Sequence, residues 1–536
     1  MEQVKLYDTT LRDGMQGQGM SLSAAEKVRV VHALDRLGIH LIEAGFPASN
    51  PKEAELFELL AGETLGQAEI CAFGMTRRRG VEADRDEALR ILAATFAPVV
   101  TLVGKTWSLH LEKVTRVSPE ENLAMIADSI AYLTGEGKRV IYDAEHFFDA
   151  WRADQDYSLE CLHSAVDAGA VNLSLCDTNG SSLPDQVSEA VSEVREEFGG
   201  AVELGIHAHN DAECGVANSL AAVREGARLV QGTINGYGER CGNANLVSIA
   251  PALEMKMGYE VVGPGRLAEL SATSHFVAEL LNVPLNPDQA YVGRNAFAHK
   301  GGMHVAGIET DARTFEHLEP SSIGNDRMVL PSELSGKATV LARAREIGLD
   351  LDDAAAREVV DELKEREHEG YHYEAAVASF DLLLRRKAGR YEPLFRLESF
   401  RVITEMREDG EVVTEATLKI WVQGERHVRV AEGNGPVNAL DQALRSAITE
   451  HYPHLADIDL TGYRVRILDS DHGTGAGTRV LLDSSDGEDS WGSIGVSENI
   501  IEASWEALVD SLEYAFPKRA ETAGGELPAD QGSGSD

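Results

Sequence analysis

Short apolar runs alternate with amphipathic stretches through the first half of the chain. The runs are VKLYDTT (4–10), HLIEAGF (40–46), EICAFG (69–74), VVTLVG (99–104), RVIYDAE (139–145), VNLSLCD (171–177), VELGIHAH (202–209) and LVQGTI (229–234). Each has the length and the β-branched or aromatic content of a buried strand. Between them, SAAEKVRVVHALDRLG and PEENLAMIADSIAYLTGEG repeat their apolar residues at helical spacing. Eight strand-then-helix units over residues 1–270 predict a (β/α)8 TIM barrel as the first domain. An open doubly wound sheet shows the same alternation, but a count of eight argues against it.

The pattern then changes twice. Residues 271–378 read as mostly helical linker subdomains, interrupted by the Gly- and His-rich turn NAFAHKGGMHVAGI. Residues 379–516 repeat a unit of three strands and a helix. The first copy is ESFRVITEM, VVTEATLKIWV and HVRVAEG with the helix PVNALDQALRSAI. The second is YRVRILD, TRVLLDS and SWGSIGVS with the helix NIIEASWEALVDSLEYAF. The turns EDGE and DGED suit hairpins, and the duplication marks a separate small α/β domain. Residues 517–536, ending in ETAGGELPADQGSGSD, predict a disordered tail.

Composition narrows the class. The chain has 536 residues, 43% hydrophobic, enough for more than one packed unit. No apolar run is long enough to span a membrane. The N-terminus enters a strand at once, which predicts no leader. The cysteines Cys71, Cys161, Cys176, Cys214 and Cys241 form no Cys-x-x-Cys pair. That predicts a reducing cytoplasm and no structural zinc site. A net charge of −40, with lysine scarce beside arginine, argues against nucleic acid and anionic membranes as partners. It also suggests a host with high internal salt.

The candidate chemistry gathers at one end of the strands. Asp13, Glu43, Lys105, Glu145, Asp177, His207, His209 and Asn235 fall at or just past the C-terminal ends of their runs. In a barrel that end is the catalytic face. His207 and His209, two apart in GIHAHND, share one face of their strand and can offer two imidazoles to one ion. Asp13 after strand 1 and GYGERCGNAN after strand 8 flank them in a closed barrel. A mixed nitrogen and oxygen set of this kind suits Mn²⁺, Mg²⁺ or Zn²⁺. Cys214 and Cys241 read as small buried residues. Arg12 poses a choice between a salt bridge to Asp13 or Glu43 and a place in the site. Arg77, Arg78 and Arg79 stand out in an acidic chain and read as a solvated helix start, with coenzyme A phosphates as the alternative. HGTGAGTR at 472–479 reads as a loop between strands.

Taken together, YDTTLRDG, HAHND and GYGERCGN resemble the acyltransferases that condense acetyl-CoA with a 2-oxo acid, the isopropylmalate, homocitrate and citramalate synthases. Their barrel is shared with hydroxymethylglutaryl-CoA lyases. EGNGPVNALDQAL and GVSENIIEASWEALVDSL resemble the synthases' allosteric domain, which those lyases lack. AFGMTRRRG, VGKTWSLH and YDAEHFFD look most like the long-form citramalate synthases, which use pyruvate. The resemblance implies Asp13, His207, His209 and Asn243 as ligands of a divalent ion, and Arg12, Asp143 and Thr178 as binders of the 2-oxo acid. It implies Glu145 and His304 as the pair that deprotonates acetyl-CoA, with His299 as the other histidine of that turn. Near RTFEHLEP this chain offers Phe315 and His317 where the family often has a tyrosine. A homodimer and feedback by isoleucine at the C-terminal domain are further implications. Other 2-oxo acids, lyase cleavage and a non-catalytic amino-acid sensor are the competing functions.

Overall fold

The computed structural model describes residues 2–331, 335–468, 476–487 and 489–522. Its first half is a closed barrel of eight parallel strands in sequence order. These are β1 (Lys5–Asp8), β2 (Leu41–Gly45), β3 (Glu69–Met75), β4 (Val99–Lys105), β5 (Arg139–Glu145), β6 (Asn172–Asp177), β7 (Glu203–Ala208) and β8 (Leu229–Gly232). All eight coincide with the apolar runs of the sequence. β1 closes the barrel by pairing with both β2 and β8, with Tyr7 opposite Leu41 on one side and Gln231 on the other.

The helices begin at the C-terminal ends of the strands, and their caps fix where. Ser23 and Glu26 form a capping box on Ala24–Leu37. Asn50 and Ser118 cap helices that open with Pro51 and Pro119. Inside the barrel, side chains alternate with the strand period of two. Tyr7, Leu41, Cys71, Val99, Ile141 and Leu229 make a largely apolar layer. Two residues further along the strands the inward positions turn polar, as Glu43, Thr101, Asp143, His207 and Gln231, and all are buried. The barrel is therefore sealed below and polar towards its C-terminal mouth.

The chain divides into two compact units. The first runs to Phe297 and includes Leu318–Asp326; the second comprises Ala298–His317 and the chain from Arg327 onward. The stretch that the sequence assigns to linker subdomains is thus shared between them. In the second unit, Ala298–His299 pairs with Met328–Val329. Three helices, Lys337–Glu346, Asp353–Glu369 and Val377–Lys387, pack around Val359, Leu363 and Phe380. Two antiparallel three-stranded sheets follow. The strands Arg396–Met406, Val412–Val422 and Glu425–Gly433 lead into the helix Pro436–Ile448. The strands Asp459–Ile467, Thr478–Ser485 and Ser490–Ser497 lead into the helix Ile500–Thr522. This is the expected duplication. The last helix continues past residue 516 to Thr522, into the segment the sequence reads as tail; the remainder of that tail lies outside the described residues, as does most of HGTGAGTR. No helix among the described residues is long and apolar enough to cross a membrane.

Candidate active site

β7 carries His207 and His209 to the barrel mouth with their Nε2 atoms 3.3 Å apart. Asp13, in the turn after β1, brings Oδ2 to 3.2 Å from His207 and 3.7 Å from His209. All three residues are buried, and their ligand atoms converge on one point as a metal cluster would. The backbone of Asn243 bridges that of His209. Its amide nitrogen donates to Tyr237 O at 3.3 Å, whereas its Oδ1 is buried without a partner. A buried, orphaned amide oxygen beside two imidazoles and a carboxylate is the donor set a divalent ion requires. The loop that delivers it depends on glycine: Gly238 has φ +159°, and a Cβ there would strike the Asn243 side-chain amide.

The support behind these ligands fixes their protonation. Gln231 Nε2 donates to Asp143 Oδ1 at 2.7 Å and to Ser174 Oγ at 3.0 Å. An ionised carboxylate only accepts, so the amide oxygen must face the other way, where it lies 2.7 Å from His207 Nδ1. His207 therefore carries its proton on Nδ1 and turns Nε2 to the site. Burial pushes Asp143 up to about 6. Burial also opposes ionisation of Asp13, but the Arg12 guanidinium and the two histidines outweigh it and hold the carboxyl well below its usual range. Burial lowers His209 to about 4, so it is neutral at pH 7, as a ligand must be. His207 is lowered by burial too, yet its hydrogen bond and charge interaction with Asp13 bring it above the ordinary value. Proton and cation compete for the same Nε2.

Arg12 has both of the partners its sequence suggested. Its Nε donates to Glu43 Oε2 at 2.6 Å, and Nη1 lies 3.4 Å from Asp13 Oδ1. The guanidinium stacks 3.9 Å over the Phe73 ring. Glu43 is held from behind by the Tyr7 hydroxyl at 2.8 Å. A guanidinium with five donors keeps some for a substrate oxygen after these contacts. Around the same mouth, Glu145 pairs with Lys105. The ligand-capable atoms of Glu145, His110 and His146 also lie within 4.8 Å of one another. His146 sits in the left-handed region at φ 57° and donates its N–H to Thr178 Oγ1 at 2.8 Å. A hydroxyl that accepts there still has its own proton to give.

Other polar residues at these strand ends serve the scaffold. Asp177 accepts from Ser181, Ser182 and Asn218 around its loop. Asn235 exchanges hydrogen bonds with Ser274. Asp8, which burial pushes up to about 7, accepts from Thr10, whose hydroxyl in turn receives the Ile234 N–H. It ties β1 to the loop after β8.

Two sequence expectations are corrected. Arg77, Arg78 and Arg79 do not begin a helix; the helix that follows starts at Glu87 with Asp86 as its cap. Arg77 is buried between Glu121 at 2.8 Å and Asp128 at 2.8 Å, Arg78 pairs with Asp86, and Arg79 donates to Arg116 O. They border a cavity of ≈ 900 Å³ that also takes in Met75, Ile91 and Lys105. Met75 and Ile91 are exposed there, as is Val114. Nor are both late cysteines buried: Cys214, just before the helix Gly215–Arg224, is half-buried, and Cys241, in the loop after β8, is exposed.

His304 belongs to the second unit, where it is exposed and stacked on Phe315 at 4.1 Å. Its alternative, His299, is buried and 3.2 Å from Glu316 Oε1, whose carboxylate Arg327 grips at 2.5 Å. His299, which burial lowers, is thus hydrogen-bonded to the Glu316–Arg327 ion pair, and His304 is the more accessible imidazole. Sequence reading missed Gln231, Ser174, Tyr7 and Thr101. Thr101 shares a face with Lys105 on β4, and Gln231, Ser174 and Tyr7 are polar positions inside otherwise apolar runs, which is the signal they carried.

Residues 3–277 match the family described as HMGL-like. Residues 291–370 match the homocitrate synthase post-HMGL domain-like family, and residues 374–516 the LeuA allosteric (dimerisation) domain. A Geobacter sulfurreducens protein named (R)-citramalate synthase is 49% identical over 98% of this chain and 99% of its own length. Proteins of the same name from Synechocystis and Aquifex aeolicus are 48% and 44% identical. Those alignments cover 95% and 97% of this chain, and 96% and 99% of the relatives.

Proposed function

Since the chain belongs to the HMGL-like family and, within it, to the citramalate synthases, we propose that it condenses acetyl-CoA with pyruvate and water to give (R)-citramalate and CoA, in isoleucine biosynthesis. The observation that carries this reading is the buried convergence of Asp13, His207 and His209 beside Arg12 at the barrel mouth. A divalent ion, Mn²⁺, Mg²⁺ or Zn²⁺, held by those three residues and Asn243, supplies Lewis acidity towards the carboxylate and ketone of a 2-oxo acid.

The chain's own residues do the rest. Thr178 donates to the substrate carboxylate, and Asp143 lines the same pocket. Arg12 donates to the ketone oxygen, and its donation strengthens as negative charge collects there. Removal of a proton from the acetyl methyl group is the step for which the sequence resemblance assigns Glu145 and His304. The resulting carbanion attacks C2 of pyruvate, a carbon–carbon bond forms, and the former ketone oxygen takes up the charge and then a proton. Water then cleaves the thioester, releasing CoA as a thiol and leaving a second carboxylate. The cavity behind Arg78 and Arg79 suits the co-substrate: its apolar wall of Met75, Ile91 and Val114 faces an adenine, and its arginines face phosphates. Lys105, which borders that cavity and pairs with Glu145, links it to the reacting end. The LeuA allosteric (dimerisation) domain supports a homodimer with an effector site, and we take isoleucine, the end product of the assigned pathway, as the effector.

Thiol release from acetyl-CoA, measured with a panel of 2-oxo acids with and without a chelator, tests the assignment. Pyruvate should be preferred and the chelator should abolish turnover. A preference for 2-oxoisovalerate or 2-oxoglutarate would refute the citramalate reading, and full activity in chelator would refute the metal's role.

A further inference from the structure

The described residues contain a metal-competent cluster in the second unit as well. Glu425, His427 and His451 bring their ligand atoms within 4.8 Å of one another. His427 lies two residues after Glu425 on the strand Glu425–Gly433, the edge of its sheet, so both side chains share a face. His427 is on the buried side, paired with the fully buried Ile420 in the adjacent strand and itself 9% exposed, while Glu425 at the start of the strand is exposed. His451 follows the helix Pro436–Ile448, with its backbone N–H bonded to Ile448 O.

The geometry is that of a chelate. The two Nε2 atoms stand 2.9 Å apart, with the rings nearly perpendicular at 83°. Two imidazole nitrogens bound at the right angle of an octahedral or square site, at bond lengths of about 2.05 Å, would be about 2.9 Å apart, against about 3.3 Å at a tetrahedral angle. The turn bearing His451 is set in advance. Arg429, two residues beyond His427, donates to Ser446 O at 3.3 Å and pairs with Glu450 at 2.7 Å. The negative end of the helix macrodipole lies at the same place and favours a cation.

We propose that Glu425, His427 and His451 bind a divalent transition-metal ion that accepts right-angle coordination, of the Co²⁺ or Ni²⁺ class, pinning the edge strand of the first C-terminal sheet to the end of its helix. The proposal does not depend on the reaction assigned to the barrel. A hydrogen bond between two neutral imidazoles would give the same contact without an ion, and stoichiometry separates the two.

The test uses the untagged full-length chain, dialysed against Co²⁺, with metal content and visible d–d absorption measured. Wild type should retain two equivalents per chain, and His427→Ala/His451→Ala should retain one. An Asp13→Ala/His207→Ala chain should also retain one, lost when the two pairs are combined. Glu425→Gln alters an exposed position and tests the site even if the histidine pair proves necessary for folding. It should weaken the second equivalent at least about tenfold, the loss expected for even an outer-shell partner. One equivalent in wild type, or a second equivalent indifferent to both Glu425→Gln and the histidine substitutions, would overturn the proposal.

Discussion

Replacing Gln231 with leucine separates the role of a ligand from the role of what orients it. Leucine keeps roughly the volume of the side chain and removes three hydrogen bonds, to His207 at 2.7 Å, Asp143 at 2.7 Å and Ser174 at 3.0 Å. Two of the groups left behind, an imidazole N–H and a carboxylate oxygen, are almost fully buried. Each such group left unsatisfied costs about 1–3 kcal/mol. His207 has an escape: it can move its proton to Nε2 and donate to Asp13, already 3.2 Å away. That relieves the fold and blocks the ligand. The expected result is therefore a folded protein whose affinity for Mn²⁺ or Co²⁺ falls about 10- to 100-fold, or ~1.4–2.7 kcal/mol. Gln231→Glu is the control. Its carboxylate still accepts from Nδ1–H, so metal affinity should stay within a few-fold, while Asp143, facing a like charge, is pushed further up. Competition against a chelating dye measures both variants, and circular dichroism confirms that each is folded. Two outcomes sink the reasoning: Gln231→Leu binding as tightly as wild type, or Gln231→Glu binding as weakly as Gln231→Leu.

Three other perturbations probe separate parts of the molecule. Arg12→Lys keeps the charge but loses the planar stack on Phe73 and the Nε bond to Glu43, so kcat should fall about 100-fold or more with pyruvate KM changed far less; an unchanged kcat would remove Arg12 from the chemistry. Arg78→Ala/Arg79→Ala should raise KM for acetyl-CoA about tenfold, ~1.4 kcal/mol, and leave that for pyruvate alone, with added salt mimicking the effect in wild type. Equal shifts for both substrates would place CoA elsewhere. Glu513, buried and bonded to Tyr391, is pushed up to about 7 by burial. Its folded value exceeds its unfolded one, so the stability it contributes is full below about pH 4.3 and is lost as pH rises through about 7. Thermal midpoints from pH 5 to 8 should fall less steeply in Glu513→Gln than in wild type, and parallel slopes would contradict this.

The barrel was legible because every strand is a run of apolar residues buried on both faces, and such runs are short, bounded and countable. The pairing of His207 with His209 in the candidate metal site was legible for a related reason. A strand fixes the facing of residues two apart, so the spacing of His207 and His209 by itself declares a shared face. Contacts between strands are a different matter. Gln231 meets His207 only because β7 and β8 pair in a register that places them side by side, and no local pattern encodes that register. The same limit hid the fate of Arg77. Its neighbours Glu121 and Asp128 lie far along the chain on one helix, and a run of three arginines looks solvated until that helix packs over it. The unit boundary at Phe297 depends likewise on which side each segment packs, and composition does not change there.

The adjacency of Arg12 and Asp13 is best understood through the charge of the whole pocket. Asp13, Glu43 and Asp143 are each buried, and Arg12 is the guanidinium set among them. With both histidines neutral, as they would be with an ion bound, three ionised carboxylates face one fixed positive charge, an excess of two negative charges. Such an excess is expensive in a buried site; without an ion, burial and then the Glu43 charge push Asp143 up to about 6, and Asp13, against burial, raises His207, so that protons offset part of it. A divalent cation cancels the excess, and a monovalent one would not. Arg12 cannot take that place: its Nε is committed to Glu43 and its plane to Phe73, which leaves Asp13 Oδ2 to the two histidines. The two residues are neighbours in sequence because a single tight turn after β1 serves both. On the proposed mechanism, one carboxylate oxygen would face the cation and the guanidinium beside it the substrate oxygen on which negative charge gathers.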